Sequence, residues 1–493
     1  MSNILFNDDW KFLKTDIKAT YEEVGGFLPL FKSVALPHDW LIENSKDLYE
    51  TSAGWYIKEF EIKEKAAHSF LYFYGVYMDS EVFVNDVRVG EWKYGYSSFC
   101  FEITEALKKG TNTVIVHVRH ENPNSRWYSG AGIFRDVHYI EKGRNYLTLN
   151  GTYVHTEPVQ NGDFMLHFET EVVRDQEEPD KELKLTYSVT DPFGKSTKLG
   201  STCGPMVGAC EFYRDRYERI LKEIPFEKND HYKEPCFDLE IPADEVVYSG
   251  SFNVEKPILW DICDPKLYRL KVTLSETDRK TGIVTVLDTD EFDIGFKNVV
   301  FDSEKGFFLN GRNIKLNGVC EHHDLGALGS AFSAEAFERQ LKKLKKMGVN
   351  ALRTSHNMPD PHVMELCDRM GILVDNEAFD MWEMPMTKYD YARFFCDWSY
   401  KDVASWIRRD RNHVSNIMWS IGNEIPDTVN GENGVTITKH LYSNVLLHDP
   451  MINSRATIGS NFMEWEKAQN CSAVLKIAGY NYGERLYQKQ HEE

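Results

Sequence analysis

The first third of the chain is a series of short segments in which apolar and polar residues alternate. The stretches AGWYIKEFEI, FLYFYGVYMDSEVFVNDVRVG and NTVIVHVRH each place apolar side chains on one face at a period of two, which is typical of half-buried β-strands. Turn-forming pairs such as Asn85-Asp86 and Lys109-Gly110 separate these segments. Helical periodicity is weak, so residues 1–145 are predicted to form an antiparallel β-sandwich of the jelly-roll kind.

A second series of alternating segments covers residues 146–299. It includes DFMLHFETEVV, the stretch from Leu183 to Asp191 and LYRLKVTLSE. This length and pattern predict one immunoglobulin-like β-sandwich. The interior segment 204–235 does not follow the strand pattern, and we interpret it as a partly helical insertion.

From residue 300 to residue 493 the pattern changes to apolar strands that alternate with amphipathic helices. The clearest helix has Ser333 as its N-cap, apolar residues at Phe337, Leu341 and Leu344, and Gly348 after its end. Strands are predicted in NIKLNGVCEHHD, VNALRTSHN, GILVDNEAF, NIMWSIGNE, INSRATIGS and AVLKIAGYNY. Six such units, in fewer than the roughly 250 residues usual for the fold, predict an incomplete (β/α)8 TIM barrel.

Composition narrows the class of protein. Lys and Arg number 57 and Asp and Glu 77, and a net charge of −20 disfavours nucleic acid or an anionic membrane as a partner. No apolar run approaches the roughly 18 residues of a membrane span, and the first residues lack the pattern of a signal peptide. The nine cysteines have no CxxC spacing, which favours reduced thiols in a cytoplasmic protein over a zinc site.

Polar residues follow the predicted barrel strands at equivalent positions, where the chemistry of such barrels takes place. They are His322, His323, Asp324, His356, Asn357, Asn376, Glu377, Asp380, Trp382, Asn423, Glu424, Asn461, Tyr480, Asn481 and Tyr482. Other interpretations stay open for single residues: a helix cap for Glu424, a core histidine for His356, a structural ion pair for Glu377. His322 and His323 are neighbours on a strand and point to opposite faces, so no metal site is predicted there.

Long motifs resemble glycoside hydrolase family 2. The barrel carries NGVCEHHDLGALGSAFSAEAFERQLKKLKKMGVNALRTSHNMPDPHVMELCDRMGILVDNEAFDMW and then RDRNHVSNIMWSIGNE, and LPHDW, AGWYIKEF, SRWYSGAGIFRDV and ILWDICDPKLYRLKV precede them. The resemblance implies a sugar-binding jelly roll, an immunoglobulin-like sandwich and a catalytic barrel. It also implies that the loop 122–127 reaches the rim of the pocket.

The resemblance assigns roles to individual residues. Glu424 matches the family's acid/base, and Asn423 matches the residue that bonds the sugar 2-hydroxyl. The other substrate-binding residues are His356, Asn357, Asp380, Trp382 and Tyr482. Asn376 departs from the family's usual Asp. No cofactor or metal ligand is implied, although Mg²⁺ or Na⁺ at the site stays open.

Retaining hydrolysis needs a second carboxylate, which the family places after the seventh barrel strand. The remaining candidates fall in helices, loops or the terminus: Glu464, Glu466, Glu484, Glu492 and Glu493. None follows an apolar strand, so the nucleophile is predicted to be absent from this chain. We interpret the chain as part of a longer enzyme, inactive or weakly active alone.

The substrate expected first is a terminal β-galactoside, and a β-glucuronide is the alternative. Two other hypotheses keep the fold without the activity. One is a carbohydrate-binding protein without catalysis, and the other is a fragment that is active only when another chain completes it. A carbohydrate is the expected partner, and a homo-oligomer stays open.

Overall fold

A computed structural model describes residues 2–174, 180–204, 206–226, 232–233, 241–242, 244–451 and 455–492. The first domain is a sandwich of two antiparallel sheets, with strand orders β3-β2-β4-β9-β6-β7 and β1-β10-β5-β8. Large residues such as Trp10, Trp40 and Tyr56 fill its core. Its elements are β1 Ser2–Leu5, β2 Trp10–Thr15, α1 Tyr21–Val24, β3 Lys32–Val34, β4 Ser52–Ile62, β5 His68–Phe73, β6 Ser80–Val84, β7 Val87–Trp92, β8 Phe99–Glu102, β9 Gly110–His120 and β10 Val137–Lys142.

The second domain is another antiparallel sandwich, with strand orders β11-β12-β16-β15 and β14-β13-β17-β18. Alternate residues of β12 and β13, including Leu166, Phe168, Leu185 and Tyr187, meet in its core, as the period of two predicts. The segment 204–235 contains the helix α2, while residues 205, 227–231 and 234–235 lie outside the described residues. The elements are β11 Asn145–Pro158, β12 Phe164–Arg174, β13 Lys181–Thr190, β14 Ser196–Thr202, β15 Met206–Gly208, α2 Ala209–Glu223, β16 Glu245–Val254, β17 Tyr268–Asp278 and β18 Val284–Ile294.

The third domain is a partial barrel of six parallel strands in sequential order, β22 to β27, which confirms the predicted fold class. A small antiparallel sheet, β19-β20-β21, precedes it. The elements are β19 Val299–Asp302, β20 Gly306–Leu309, β21 Arg312–Asn313, β22 Gly318–Glu321, α3 Ala334–Lys346, β23 Ala351–Thr354, α4 Pro361–Met370, β24 Leu373–Glu377, α5 Phe395–Asp410, β25 Asn416–Asn423, α6 Asp427–Asn430, α7 Gly434–His448, β26 Ala456–Ser460, α8 Glu466–Leu475, β27 Gly479–Tyr480 and α9 Tyr487–Glu492.

Two local predictions in the barrel had different outcomes. The helix signals around α3 are confirmed: the Ser333 hydroxyl accepts a hydrogen bond from the Ala336 N–H, and Gly348 has a φ of +92°. The sixth strand is shorter than expected. The predicted strand AVLKIAGYNY begins at Ala473, but its first three residues form the last turn of α8, which ends before Lys476. Only Gly479 and Tyr480 therefore pair as a strand. A short apolar run fits a buried helix end as well as a strand.

Hydrogen bonds from the first domain reach α5 of the barrel. Asp402, fully buried on α5, accepts bonds from Trp92 Nε1 (2.9 Å), from Ser97 Oγ (2.6 Å) and from the Tyr391 hydroxyl. Burial raises the pKa of Asp402 to about 7, although these donors act to lower it.

No helix among the described residues is long and apolar enough to cross a membrane.

We expect the substitution Asp402→Asn to change how stability depends on pH. The carboxyl has a pKa of about 7 in the folded protein and about 4 when unfolded. Unfolding therefore releases a proton between these values, and the wild-type free energy of unfolding falls as pH rises through them, by up to ~4 kcal/mol. The melting temperature of the variant should exceed that of the wild type increasingly from pH 5 to pH 8. Asp397→Asn, at an exposed position of the same helix, is the control. If the melting temperatures of Asp402→Asn and of the wild type changed with pH in parallel, the expectation would be contradicted.

Candidate active site

Glu424 follows directly on β25, at the carboxyl end of the central strands of the parallel sheet. Its φ of +52° lies in the left-handed region, which costs a residue with a side chain roughly 1–2 kcal/mol. The Glu424 N–H donates to the Gly459 carbonyl at 2.7 Å and thereby anchors this backbone to the neighbouring β26. The unusual conformation directs attention to Glu424 as a functional residue.

An arginine from the first domain reaches this carboxylate. Arg126, in the loop after β9, donates from Nε to Asp380 Oδ2 at 2.8 Å and from Nη2 to Asp380 Oδ1. Its Nη1 donates to Glu424 Oε2 at 2.9 Å. Burial alone would lower the pKa of Arg126, but Asp380 and Glu424 together raise it above the ordinary value. The prediction that the loop 122–127 reaches the pocket is therefore confirmed.

Amide groups complete the surroundings of Glu424. Asn481, just after β27, donates to Glu424 Oε1 at 3.2 Å and to Asn423 Oδ1 at 2.8 Å. Asn423 is buried, and its Nδ2 donates to Asp380 Oδ1 at 2.9 Å. Arg353 Nη2 gives Asn423 Oδ1 a second donor at 2.9 Å. The second Asn423 N–H has no acceptor among the described residues, so it can donate to a ligand.

A buried ionic network lies beneath these residues. Glu377 Oε2 accepts from Arg353 Nε and Nη2 at 2.9 and 2.7 Å, which confirms the structural ion pair, and its Oε1 contacts His356 Nδ1 at 2.6 Å. Burial alone would raise the pKa of Glu377, but the charge of Arg353 lowers it. For Asp375, burial and the charge of Glu377 raise the pKa to about 7. A side chain at Gly459 would meet Arg353 Nη2 at 2.3 Å, so this network also requires a glycine on β26.

The remaining predicted substrate-binding residues occupy contrasting positions. Trp382 is fully buried and donates from Nε1 to the Ile421 carbonyl at 3.0 Å, so the structure gives it a packing role beneath the site and no surface for a sugar. Tyr482 is 79% exposed, beside the edge strand β27. Asn357 is buried, and its Oδ1 accepts from the Tyr94 hydroxyl of the first domain at 3.0 Å.

Sequence analysis did not single out Arg126 and Arg353, the two cations of the site. The loop 122–127 of the first domain was predicted to reach the site, but the partners of Arg126 are 254 and 298 residues away, so no local pattern indicates that this residue makes the contact. Arg353 interrupts the apolar strand β23, and a charge at such a position was a signal that could have been used. Among the described residues, no group of three or more His, Cys, Asp or Glu is placed to hold a metal ion.

The carboxylates that could act as a nucleophile are poorly suited to it. Both Asp380 oxygens are engaged by Arg126 and Asn423. Glu464 is exposed and forms a 2.6 Å ion pair with Arg485. Glu466, Glu484 and Glu492 are exposed and lie in α8, a short 3-10 turn and α9; Glu493 lies outside the described residues.

Comparison with known proteins agrees with this fold. Three family models match in sequence order: the sugar binding domain of glycosyl hydrolases family 2 at residues 17–143, a further family 2 domain at 220–297, and the family 2 TIM barrel domain at 301–451. The chain therefore belongs to glycoside hydrolase family 2.

Relatives of known name include two kinds of glycosidase. A β-galactosidase of Bacteroides ovatus is 35% identical over 97% of this chain and 56% of its own length. A β-glucuronidase of Bacteroides fragilis is 27% identical over 91% of this chain and 60% of its own length. A solved family 2 protein of Bacteroides cellulosilyticus is 29% identical, with a TM-score of 0.80, over all of this chain and 60% of that one. The chain thus spans a little over half the length of these relatives.

We expect Arg126 to matter for catalysis in any active form of the protein. Arg126→Ala should lower kcat/KM roughly 100-fold, because it removes preorganised donors from two carboxylates in a partly buried site. Arg126→Lys should recover part of the loss, since it keeps the charge but not the planar fork. Steady-state hydrolysis measures both, with Arg119→Ala on β9 as the control. A change of less than threefold for Arg126→Ala would contradict the expectation.

Proposed function

We propose that this chain is the greater part of a retaining glycoside hydrolase that cleaves terminal β-galactosides. The observation that carries the proposal is the position of Glu424. It is held at the carboxyl end of β25 between Arg126 and Asn481, beside Asn423. A carboxyl group held in one orientation at the carboxyl end of a barrel strand, next to an amide that can bond a sugar hydroxyl, occupies the position expected for the acid/base residue of a glycosidic bond.

In the proposed reaction, Glu424 donates a proton to the glycosidic oxygen as the bond to the leaving group breaks. A second carboxylate about 5 Å away forms the glycosyl-enzyme, and Glu424 then removes a proton from the attacking water. The free N–H of Asn423 bonds the 2-hydroxyl of the sugar, a contact that strengthens in the transition state. We further propose that the second carboxylate lies outside the 493 residues, because Asp380 is engaged by Arg126 and Asn423 and the later candidates Glu464, Glu466, Glu484 and Glu492 are exposed.

Among the described residues of the site, the pairing of charges supports a neutral sugar. Arg126 is paired with Asp380 and Glu424, and Arg353 is paired with Glu377. A substrate carboxylate would have to compete with these carboxylates for either guanidinium, and leave one of them buried without its partner. This favours a β-galactoside, and the relative from Bacteroides ovatus is named a β-galactosidase. The β-glucuronidase name of the Bacteroides fragilis relative keeps that activity as the second candidate.

Hydrolysis of 4-nitrophenyl β-galactoside and β-glucuronide tests the proposal. The 493-residue chain, the gene product read to its stop codon, and Glu424→Gln variants of both would be compared. We expect turnover from the longer product alone, at least tenfold faster with the galactoside, and none from its variant. Turnover by the 493-residue chain that Glu424→Gln abolishes would place the nucleophile within these residues. Preference for the glucuronide would establish the second candidate. Saturable sugar binding without any turnover would establish a non-catalytic protein.

A further inference from the structure

A buried carboxylate of the first domain lies where that domain meets the barrel. Asp39 belongs to the LPHDW motif, which the proposed reaction does not use, and it is 1% exposed. Its Oδ1 accepts hydrogen bonds from the N–H groups of Leu41 and Ala131, each at 3.0 Å. Its Oδ2 accepts from the Tyr128 hydroxyl at 2.6 Å, and from the N–H and the hydroxyl of Ser330 at 2.9 and 3.1 Å. Five neutral donors from three separate segments of the chain therefore fix this carboxylate in one orientation.

These donors connect the loop that carries Arg126 to the barrel. Tyr128 stands two residues after Arg126, and Ser330 lies between β22 and α3. Burial and the hydrogen bond to Asp39 raise the pKa of Tyr128 above its ordinary value, so its hydroxyl keeps its proton and donates. Asp39 thereby ties the end of the loop 122–127 to the first loop of the barrel.

The chain after Tyr128 packs closely against the barrel. Gly130 has a φ of +68°, and a Cβ there would lie 2.8 Å from Asp39 Oδ2 and would collide with Ser330 Oγ. His323, at the end of β22, donates from Nε2 to the Ser129 carbonyl at 2.9 Å. Burial lowers the pKa of His323 to about 4, so the ring is neutral at pH 7 and has one N–H, which this contact uses. This strand-end histidine therefore joins the two domains.

The other end of the same loop has contacts of its own. The Tyr77 hydroxyl donates to Asn124 Oδ1 at 3.2 Å, and the Tyr389 N–H donates to the Pro123 carbonyl at 2.8 Å. Arg126 stands between these contacts and Tyr128. Where the two ends are held therefore determines how far its guanidinium reaches into the pocket.

We propose that Asp39 is a positioning residue, which through Tyr128 and Ser330 sets Arg126 against Glu424. Asp39 is buried, so it acts through Arg126 and not on the substrate. A misplacement of about 1 Å in such a group can cost roughly 100-fold in rate. The catalytic part of this inference rests on the proposed function, whereas the placement of Arg126 does not.

The substitution Tyr128→Phe tests the proposal with a small change, because it removes one hydroxyl and keeps the ring. In the gene product read to its stop codon, we expect it to lower kcat/KM roughly tenfold. In an Arg126→Ala background it should change kcat/KM by less than about twofold, since the group that it positions is already gone. Tyr139→Phe is the matched control and should keep kcat/KM in both backgrounds: Tyr139 is 4% exposed in the same domain, and its hydroxyl donates to Ser69 Oγ at 3.2 Å. Losses that add in the double variant would mean that Tyr128 supports the fold in general, and would overturn the proposal.

Crystal structures of the 493-residue chain test the placement of Arg126 without any activity. Arg126 Nη1 lies 2.9 Å from Glu424 Oε2 in the unsubstituted chain. In Tyr128→Phe, and in Asp39→Asn as a second variant, we expect this separation to exceed about 3.5 Å, beyond the range of a hydrogen bond. Tyr139→Phe should keep the contact, and an unchanged contact in Tyr128→Phe would overturn the proposal even if Asp39→Asn did not fold. If no form of the protein hydrolyses a glycoside, the proposed function fails, and these structures still decide whether Asp39 positions Arg126.

Discussion

Replacing Glu424 by Gln is expected to lower the hydrolysis of alkyl or sugar-linked β-galactosides about 1,000-fold, within the 10²–10⁴ usual for a general acid. The loss should be much smaller for a 2,4-dinitrophenyl leaving group, which departs without a proton. With that substrate the first step stays fast and the second becomes rate-limiting, because Glu424 no longer activates water. A burst of dinitrophenol followed by slow turnover, measured by stopped flow on an active form of the protein, would show this.

Azide provides an independent test of whether Glu424 is the acid/base residue. The smaller variant Glu424→Ala leaves space for the anion, and azide needs no base to attack a glycosyl-enzyme. Added azide should therefore raise the slow turnover and yield a β-galactosyl azide. Glu464→Gln, at an exposed carboxylate paired with Arg485, is the matched control and should keep full activity. If the variants lost the same fraction of activity with every leaving group, and azide did not raise the rate, Glu424 would not be the acid/base residue.

The largest loss of stability is expected from Arg135→Met. Arg135 is 1% exposed and joins the first domain to the loop after β23: it donates to the carbonyls of Tyr96 (2.8 Å), Met358 (2.8 Å) and Pro359 (3.2 Å). Burial lowers the pKa of Arg135 to about 10, which leaves it charged at neutral pH. Methionine fills similar space but leaves the buried carbonyls of Tyr96 and Met358 without a donor, since Pro359 keeps a bond from Arg409 Nη2, so we expect a loss of about 3–5 kcal/mol.

Chemical denaturation monitored by tryptophan fluorescence would measure this loss. Arg88→Met in the same domain is the control: Arg88 is 46% exposed and pairs with Glu81 and Glu91, so its loss should cost less than about 1 kcal/mol. The Arg135 variant should also lower activity, because Met358 and Pro359 follow His356 in the same loop. If both variants unfold at the same denaturant concentration, the carbonyl contacts of Arg135 do not determine stability.

The fold was predictable because each domain repeats one local pattern. The period-two segments around Ala53 and Leu183 became strands of antiparallel sandwiches, and the capped, amphipathic stretch after Ser333 became α3. The position of Glu424 at a strand end was predictable for a related reason, since the strand before it is apolar and parallel strands bring their carboxyl ends together, whereas its role was implied by the family resemblance. Each of these sequence patterns lies within about ten residues of the strand, helix or side chain whose position it predicts.

The rest of the site depended on contacts that no short segment records. Arg126 reaches Glu424 from another domain: the family resemblance implied that its loop reaches the pocket, but no sequence pattern indicated which residue there it binds. Trp382 follows a strand just as Asp380 does, yet one side chain enters the core and the other meets Arg126. The direction in which a side chain points at the end of a strand depends on how the neighbouring strands and helices pack. The residues that determine this packing are spread over the whole barrel.

The ion pair between Arg126 and Glu424 also has a consequence for biosynthesis. During synthesis the first domain, which carries Arg126, emerges from the ribosome long before β25 is made. Domains generally fold in the order in which they emerge, from the amino terminus onward. The guanidinium is therefore in place before its partner exists, and the emerging barrel strands fold against a surface that is already formed. A barrel expressed without the first domain would have to hold Asp380 and Glu424 in the same pocket without their shared cation. Domain-exchange experiments in this family should therefore transfer the loop 122–127 together with the barrel.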